Sequence, residues 1–95
     1  MALAFPGTET VAHFERVGFK IKGKRMFATY SAKNNTANIF LKPGDQYIYC
    51  KTDPENIYPV PNKWGLKGAT TFELSKITKE IILEALNAAY SKTVS

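Results

Sequence analysis

Residues 16–44, RVGFKIKGKRMFATYSAKNNTANIFLKPG, decide the fold. Val17, Phe19 and Ile21 fall on one face of an extended segment and Gly18, Lys20 and Lys22 on the other, the two-residue period of a half-buried strand. Gly23 ends that run. Met26 to Tyr30 and Thr36 to Leu41 follow as two further strands, rich in aromatic and β-branched residues. The Asn34-Asn35 pair between them tolerates a turn with positive φ. The stretch predicts an antiparallel meander with one face in a core and one in water. Its charge is one-sided. Between Glu15 and Asp45 lie seven basic residues (Arg16, Lys20, Lys22, Lys24, Arg25, Lys33 and Lys42) and no acidic one, so the meander holds +7 and the rest of the chain −2.

Working outward, the 95 residues suit a single domain, 1–95, with one core and no linker. A content of 44% hydrophobic and 22% charged residues excludes the disordered class. Cys50 is the sole cysteine, so no internal disulfide can form, and a cytoplasmic location is the expectation. In its Tyr-Ile-Tyr-Cys run the thiol reads as a small buried hydrophobe rather than a nucleophile. No apolar run approaches the roughly 20 residues of a membrane span, and the start is too short for a signal peptide, so no membrane partner is expected. Asn34-Asn35-Thr36 matches a glycosylation acceptor and is taken as chance.

Met1 to Phe5 has the composition of a last helical turn, stopped by Pro6-Gly7, and Thr10 to Phe14 reads as a first strand. After the meander, residues 43–53 are ambiguous: Gln46 to Lys51 fits a strand or one helical turn, because so short an apolar run has no decisive period. Asp53 is a candidate N-cap in the Asp53-Pro54-Glu55 segment. Pro59 and Pro61 predict an extended loop leading to Lys63-Trp64-Gly65-Leu66-Lys67-Gly68, and Ala69 to Leu74 alternates as a last strand. Ser75 or Thr78 caps a closing helix to about Tyr90, whose stripe of Ile77, Ile81, Ile82, Ala85, Leu86, Ala89 and Tyr90 should cover the sheet.

Taken together, Phe5-Pro6-Gly7-Thr8-Glu9, His13-Phe14, Gly18 through Ala28, Asn38-Ile39-Phe40-Leu41-Lys42, Asn62-Lys63-Trp64-Gly65 and the closing amphipathic helix resemble the MmcQ/YjbR-like family of small bacterial proteins. The similarity covers nearly the whole chain, and it is the order and spacing of the motifs that make it specific. The resemblance implies an α+β domain of the frataxin/CyaY-like (double-wing) type. In it an antiparallel meander sheet is packed by a C-terminal helix, and the proposed role is DNA binding through two projecting wing-like elements. It also implies a helix within residues 43–53. Where the family pattern has a full helix before Pro-Gly, this sequence has only Met1 to Phe5, so the N-terminal helix is shortened. One side of the sheet is then expected to be open to self-association, as a monomer or weak homodimer.

Two roles stay open from the residues. Lys20, Lys22, Lys24 and Arg25 give four cations within six positions of a hairpin, and Lys63 and Lys67 flank Trp64, whose indole can stack on a base. Together they form a candidate surface for weak DNA binding without sequence preference. The bland counterpart is a lysine-rich edge that blocks aggregation, with Trp64 in a core or lid. The alternative role is a protein–protein module presenting Tyr47, Tyr49, Tyr58 and Trp64. An enzyme is not expected: His13 is the sole histidine and has no ligand-spaced neighbour, the acids are scattered, and no nucleophile elbow or phosphate-binding glycine loop occurs. No cofactor or metal is expected, and the basic character of the meander runs against the acidic ridge that iron binding by analogy with frataxin needs.

Overall fold

The alternation in residues 16–21 forms strand β2 (Arg16–Ile21), and the apolar runs after it form β3 (Met26–Ser31) and β4 (Thr36–Phe40). The structure is a computed structural model that describes residues 5–13 and 16–94, with β1 (Thr8–His13) before these strands and β5 (Ile57–Pro59) and β6 (Ala69–Glu73) after them. All six pair antiparallel in the order β1-β2-β3-β4-β6-β5. Helix α1 (Pro43–Thr52), the single turn α2 (Lys63–Leu66) and the long α3 (Lys79–Val94) complete an α+β fold. The β3–β4 turn carries Asn35 at φ 51°, as the Asn-Asn pair predicts. The expected helical turn before Phe5 and the Phe14 end of the first strand lie outside the described residues.

One irregularity shapes the core. Phe19 pairs with Ala28 but Lys20 pairs with Met26, so Phe27 is an extra residue in β3. Such a bulge turns two consecutive side chains to one side. Phe27 and Ala28 accordingly both enter the core that contains Ile39, Phe72, Ile82, Ala85 and Leu86. Met26 is sent to the other face, where its sulfur lies over Gly18. A Cβ on that glycine would stand 2.3 Å from Met26 Sδ, so the glycine leaves the space that the Met26 side chain occupies. Phe27 is fully buried and meets the Tyr90 ring of α3 edge-on at 5.8 Å, while Phe5 stacks on Tyr90 at 4.9 Å. The Tyr90 hydroxyl donates to Pro6 O at 2.6 Å, tying the chain start to the end of α3.

Thr78, not Ser75, caps α3: its Oγ1 accepts from the Ile81 N–H at 3.4 Å, while Ser75 sits in a 3-10 turn at Leu74–Lys76. The helix continues one turn past Tyr90, with Lys92 in its last turn and Thr93 Oγ1 donating to Ala89 O at 2.9 Å. It lies over β3 and β4, burying Ile82, Ala85, Leu86 and Ala89. The outer part of the same face stays open. Val17 is 42% exposed, and an apolar groove of about 390 Å³ runs between Phe19, Ala37 and Ile39 on the sheet and Ile82 and Leu86 on the helix.

Residues 43–52 resolve as helix. Pro43 occupies the first turn with Asp45, and Lys51 the last, which suits the helix dipole. Tertiary contacts fix it: Tyr49 packs edge-on to Phe72 at 5.9 Å, and Gln46 Nε2 donates to Gly65 O and Ala69 O at 2.8 and 3.1 Å. Asp53 is the C-cap of this helix rather than the N-cap of another, and its carboxylate accepts from Asn56 Nδ2 at 3.0–3.2 Å. A short strand, β5, that the sequence reading did not foresee ends at Pro59, where the expected loop begins. Glu73 N–H donates to Asn56 O and Val60 N–H to Ala69 O, so the alternate residues Ile57 and Pro59 turn their nitrogens outward. An edge strand admits proline on that side.

Gly68 holds β4 against the α2–β6 junction. Its φ is 114°, its carbonyl accepts from Leu41 N–H at 3.0 Å, and a Cβ there would stand 1.8 Å from Leu41 O. Gly68→Ala is therefore expected to destabilise by about 3 kcal/mol or more in chemical denaturation, since backbone rather than a flexible side chain must yield. Gly44→Ala, in the first turn of α1 with nothing within 4 Å of the added carbon, is expected to be neutral or to stabilise by about 0.5 kcal/mol.

Candidate nucleic-acid interface

The sheet end where β3 begins, β4 stops and β6 begins collects the two basic segments. The β2–β3 turn delivers Lys24 and Arg25, and α2 delivers Trp64 and Lys67, capped by Asn62 Oδ1, which accepts from Trp64 N–H at 2.8 Å. These four side chains, far apart in sequence, line one open cleft of about 610 Å³ whose apolar floor is Met26, Phe40 and Ala69. The C-terminal turn of α3 closes it with Lys92 and Thr93. Sequence reading missed Lys92. The apolar stripe of that helix ends at Tyr90, and the residues beyond it lack the period that would orient them.

Four cations thus line the cleft, and none of its lining residues is acidic. The Lys24 ammonium donates to Val94 O and the Lys92 ammonium to Leu41 O, both at 3.5 Å. Carbonyls orient these groups without neutralising them. The Lys67 ammonium lies 5.3 Å from the centroid of the Trp64 ring, a cation–π contact, and Trp64 is 57% exposed. It belongs neither to the core nor to a closed lid.

The remaining predicted cations are placed less uniformly. Lys22 is exposed beside the same turn, and Lys63 is exposed at the start of α2; neither lines the cleft. Lys20 lies directly across from Glu9 in the β1–β2 register, with Nζ 3.9 Å from Glu9 Oε1, an exposed pair worth less than about 1 kcal/mol. Arg16 and Lys33 are at the other end of the sheet, since β3 runs away from Arg25 for six residues, about 17–20 Å. Arg16 Nε donates to Thr29 Oγ1 at 2.9 Å, and burial pushes its guanidinium below the ordinary value. The +7 of the ribbon is therefore not one patch.

The tyrosines also diverge. Tyr47 is 66% exposed on α1, Tyr49 packs on the helix-covered face through Phe72 and donates to Glu84 Oε1 at 2.7 Å, and Tyr58 pairs with Thr71 on the opposite face and donates to Glu73. Both engaged phenols are pushed up, Tyr49 by burial and then Glu84, Tyr58 by the Glu73 hydrogen bond and then burial.

The chain matches the YjbR family model over residues 3–92 and belongs to the YjbR family. No curated protein matches it, and neither does any solved structure, so the frataxin/CyaY-like likeness rests on the sequence resemblance alone.

Among the described residues no three His, Cys, Asp or Glu side chains gather as a metal site, and no helix is long and apolar enough to cross a membrane. The side chain of His13 lies outside the described residues. Cys50 is half-buried on α1 beside the core, and burial pushes its thiol up, which lowers the thiolate fraction at neutral pH. Alkylation of the folded protein by iodoacetamide is expected to be slower at neutral pH than that of the urea-unfolded chain. Its pH midpoint should lie above that of an ordinary thiol, and a midpoint below it contradicts this reading.

Proposed function

We propose that this is a small, non-enzymatic DNA-binding protein that attaches without sequence preference through its basic sheet end. Lys24, Arg25, Lys67 and Lys92 make the central contacts, Lys20, Lys22 and Lys63 supply the flanks, and Trp64 lies between them. The observation that carries this reading is the convergence of hairpin, loop and helix end on one cleft lined by cations and by no carboxylate. Each cation that reaches a phosphate releases a condensed counterion, which makes the attachment electrostatic and weak, with Kd of about 10⁻⁴–10⁻⁶ M at physiological salt. Family membership is compatible with this reading and does not select it. A lone half-buried thiol fits a reducing bacterial cytoplasm. The protein acts as a monomer or weak homodimer in this account.

The protein–protein alternative is less favoured, because Tyr49 and Tyr58 spend their hydroxyls on internal carboxylates from opposite faces of the sheet.

Titration of a labelled duplex at several salt concentrations tests the proposal. With about four phosphates neutralised, log K against log salt is expected to slope near −3.6. Lys24→Glu with Arg25→Glu should weaken binding at least about tenfold and flatten that slope. Lys33→Glu, at the far end of the sheet, should change affinity less than about twofold. Equal losses for both variants would reduce the site to net charge alone.

A further inference from the structure

The cleft contains more than a phosphate clamp requires. Between its cations lie an exposed indole and a floor of Met26 and Phe40, both only partly buried. A duplex offers phosphates and groove edges but keeps its base faces stacked, so it would leave this apolar surface wet. A single strand exposes the faces of its bases, and stacking on an aromatic side chain contributes about 1–3 kcal/mol per base whatever the base is. The volume of about 610 Å³ is that of a small-ligand pocket, a size that suits a single splayed nucleotide. The Lys67 ammonium lies over one face of the Trp64 ring, and Lys24, Arg25 and Lys92 line the same cleft, so the ring on which a base would stack and the cations that would hold its phosphates share one site.

We infer that the cleft takes up an unpaired base of single-stranded DNA against Trp64 and the Met26–Phe40 floor, with the flanking phosphates on Lys24, Arg25, Lys67 and Lys92. This rests on the DNA-binding reading and deepens it: the protein prefers single strands, ends or unpaired sites to intact duplex. An acidic peptide would satisfy the ammonium groups but bring no planar partner for the indole.

Trp64 is the chain's sole tryptophan, so intrinsic fluorescence reports this ring alone. The full chain is titrated with an oligodeoxythymidine of about 12 nucleotides, a duplex of the same length and poly-glutamate. The expected result is quenching by the single strand, little change with the duplex or poly-glutamate, and tighter single-strand binding in an anisotropy assay. Trp64→Ala should cost about tenfold or more for the single strand and less than about twofold for the duplex, with Trp64→Phe restoring most of the loss. The ring is exposed, so both variants should keep the thermal midpoint of the parent. Equal binding of the two DNA forms with no effect of Trp64→Ala overturns the base pocket and leaves non-specific attachment standing. No binding of either form overturns the DNA reading itself. Quenching by poly-glutamate equal to that by the oligonucleotide assigns the cleft to polyanions at large and overturns the inference.

Discussion

The extra residue in β3 is the constraint on which the rest of the molecule depends. By turning Phe27 inward beside Ala28, the bulge adds an aromatic side chain to Ile21 and Leu41 at this end of the core. Tyr90 and Phe5 close on that ring, so α3 is held down at its C-terminal end as well as by Ile82, Ala85 and Leu86 along its length. The consequence appears one turn later: Lys92 and Thr93 arrive beside Lys24 and Arg25. A regular strand would send Phe27 to the opposite face, and the helix end would have no reason to stop at the mouth of the cleft.

The same sheet geometry divides the charge. Along the sequence the meander is a continuous basic ribbon, but successive antiparallel strands carry its residues to opposite ends. Arg16 is spent on Thr29 in a partly dry setting and Lys33 stands on the far turn, while Lys20 faces Glu9. What remains concentrated is the group near the β2–β3 turn, joined by lysines from α2 and α3. The site therefore owes its character less to the number of cations in the ribbon than to which turn the other elements pack against.

Much of this was legible in the residues and some was not, for identifiable reasons. The period of Val17, Phe19 and Ile21, the Asn-Asn turn and the apolar stripe of α3 carry the sheet and its covering helix, because burial of one face leaves a strong mark on side-chain order. Residues 43–52 left no such mark: α1 buries no residue completely and is held by Tyr49 and Gln46 reaching partners far along the chain. Strand β5 was hidden by Pro59, a residue that edge pairing tolerates and pattern reading penalises. Of the candidate site, Lys24, Arg25, Trp64 and Lys67 were found by type and spacing. Lys92 could be found only from the crossing of α3 over the sheet, and Lys63 and Lys20, equally basic in sequence, stand aside from the cleft.

Amide chemical-shift mapping of the labelled protein titrated with DNA reads out whether nucleic acid engages the proposed sheet end. The shifts should concentrate at Lys24–Met26, Trp64–Lys67 and Lys92–Thr93, with Lys33 and the exposed side of α1 around Tyr47 unmoved. Shifts that centre on Tyr47 and Ile48, or that spread evenly over every lysine including Lys33, would contradict the proposed interface.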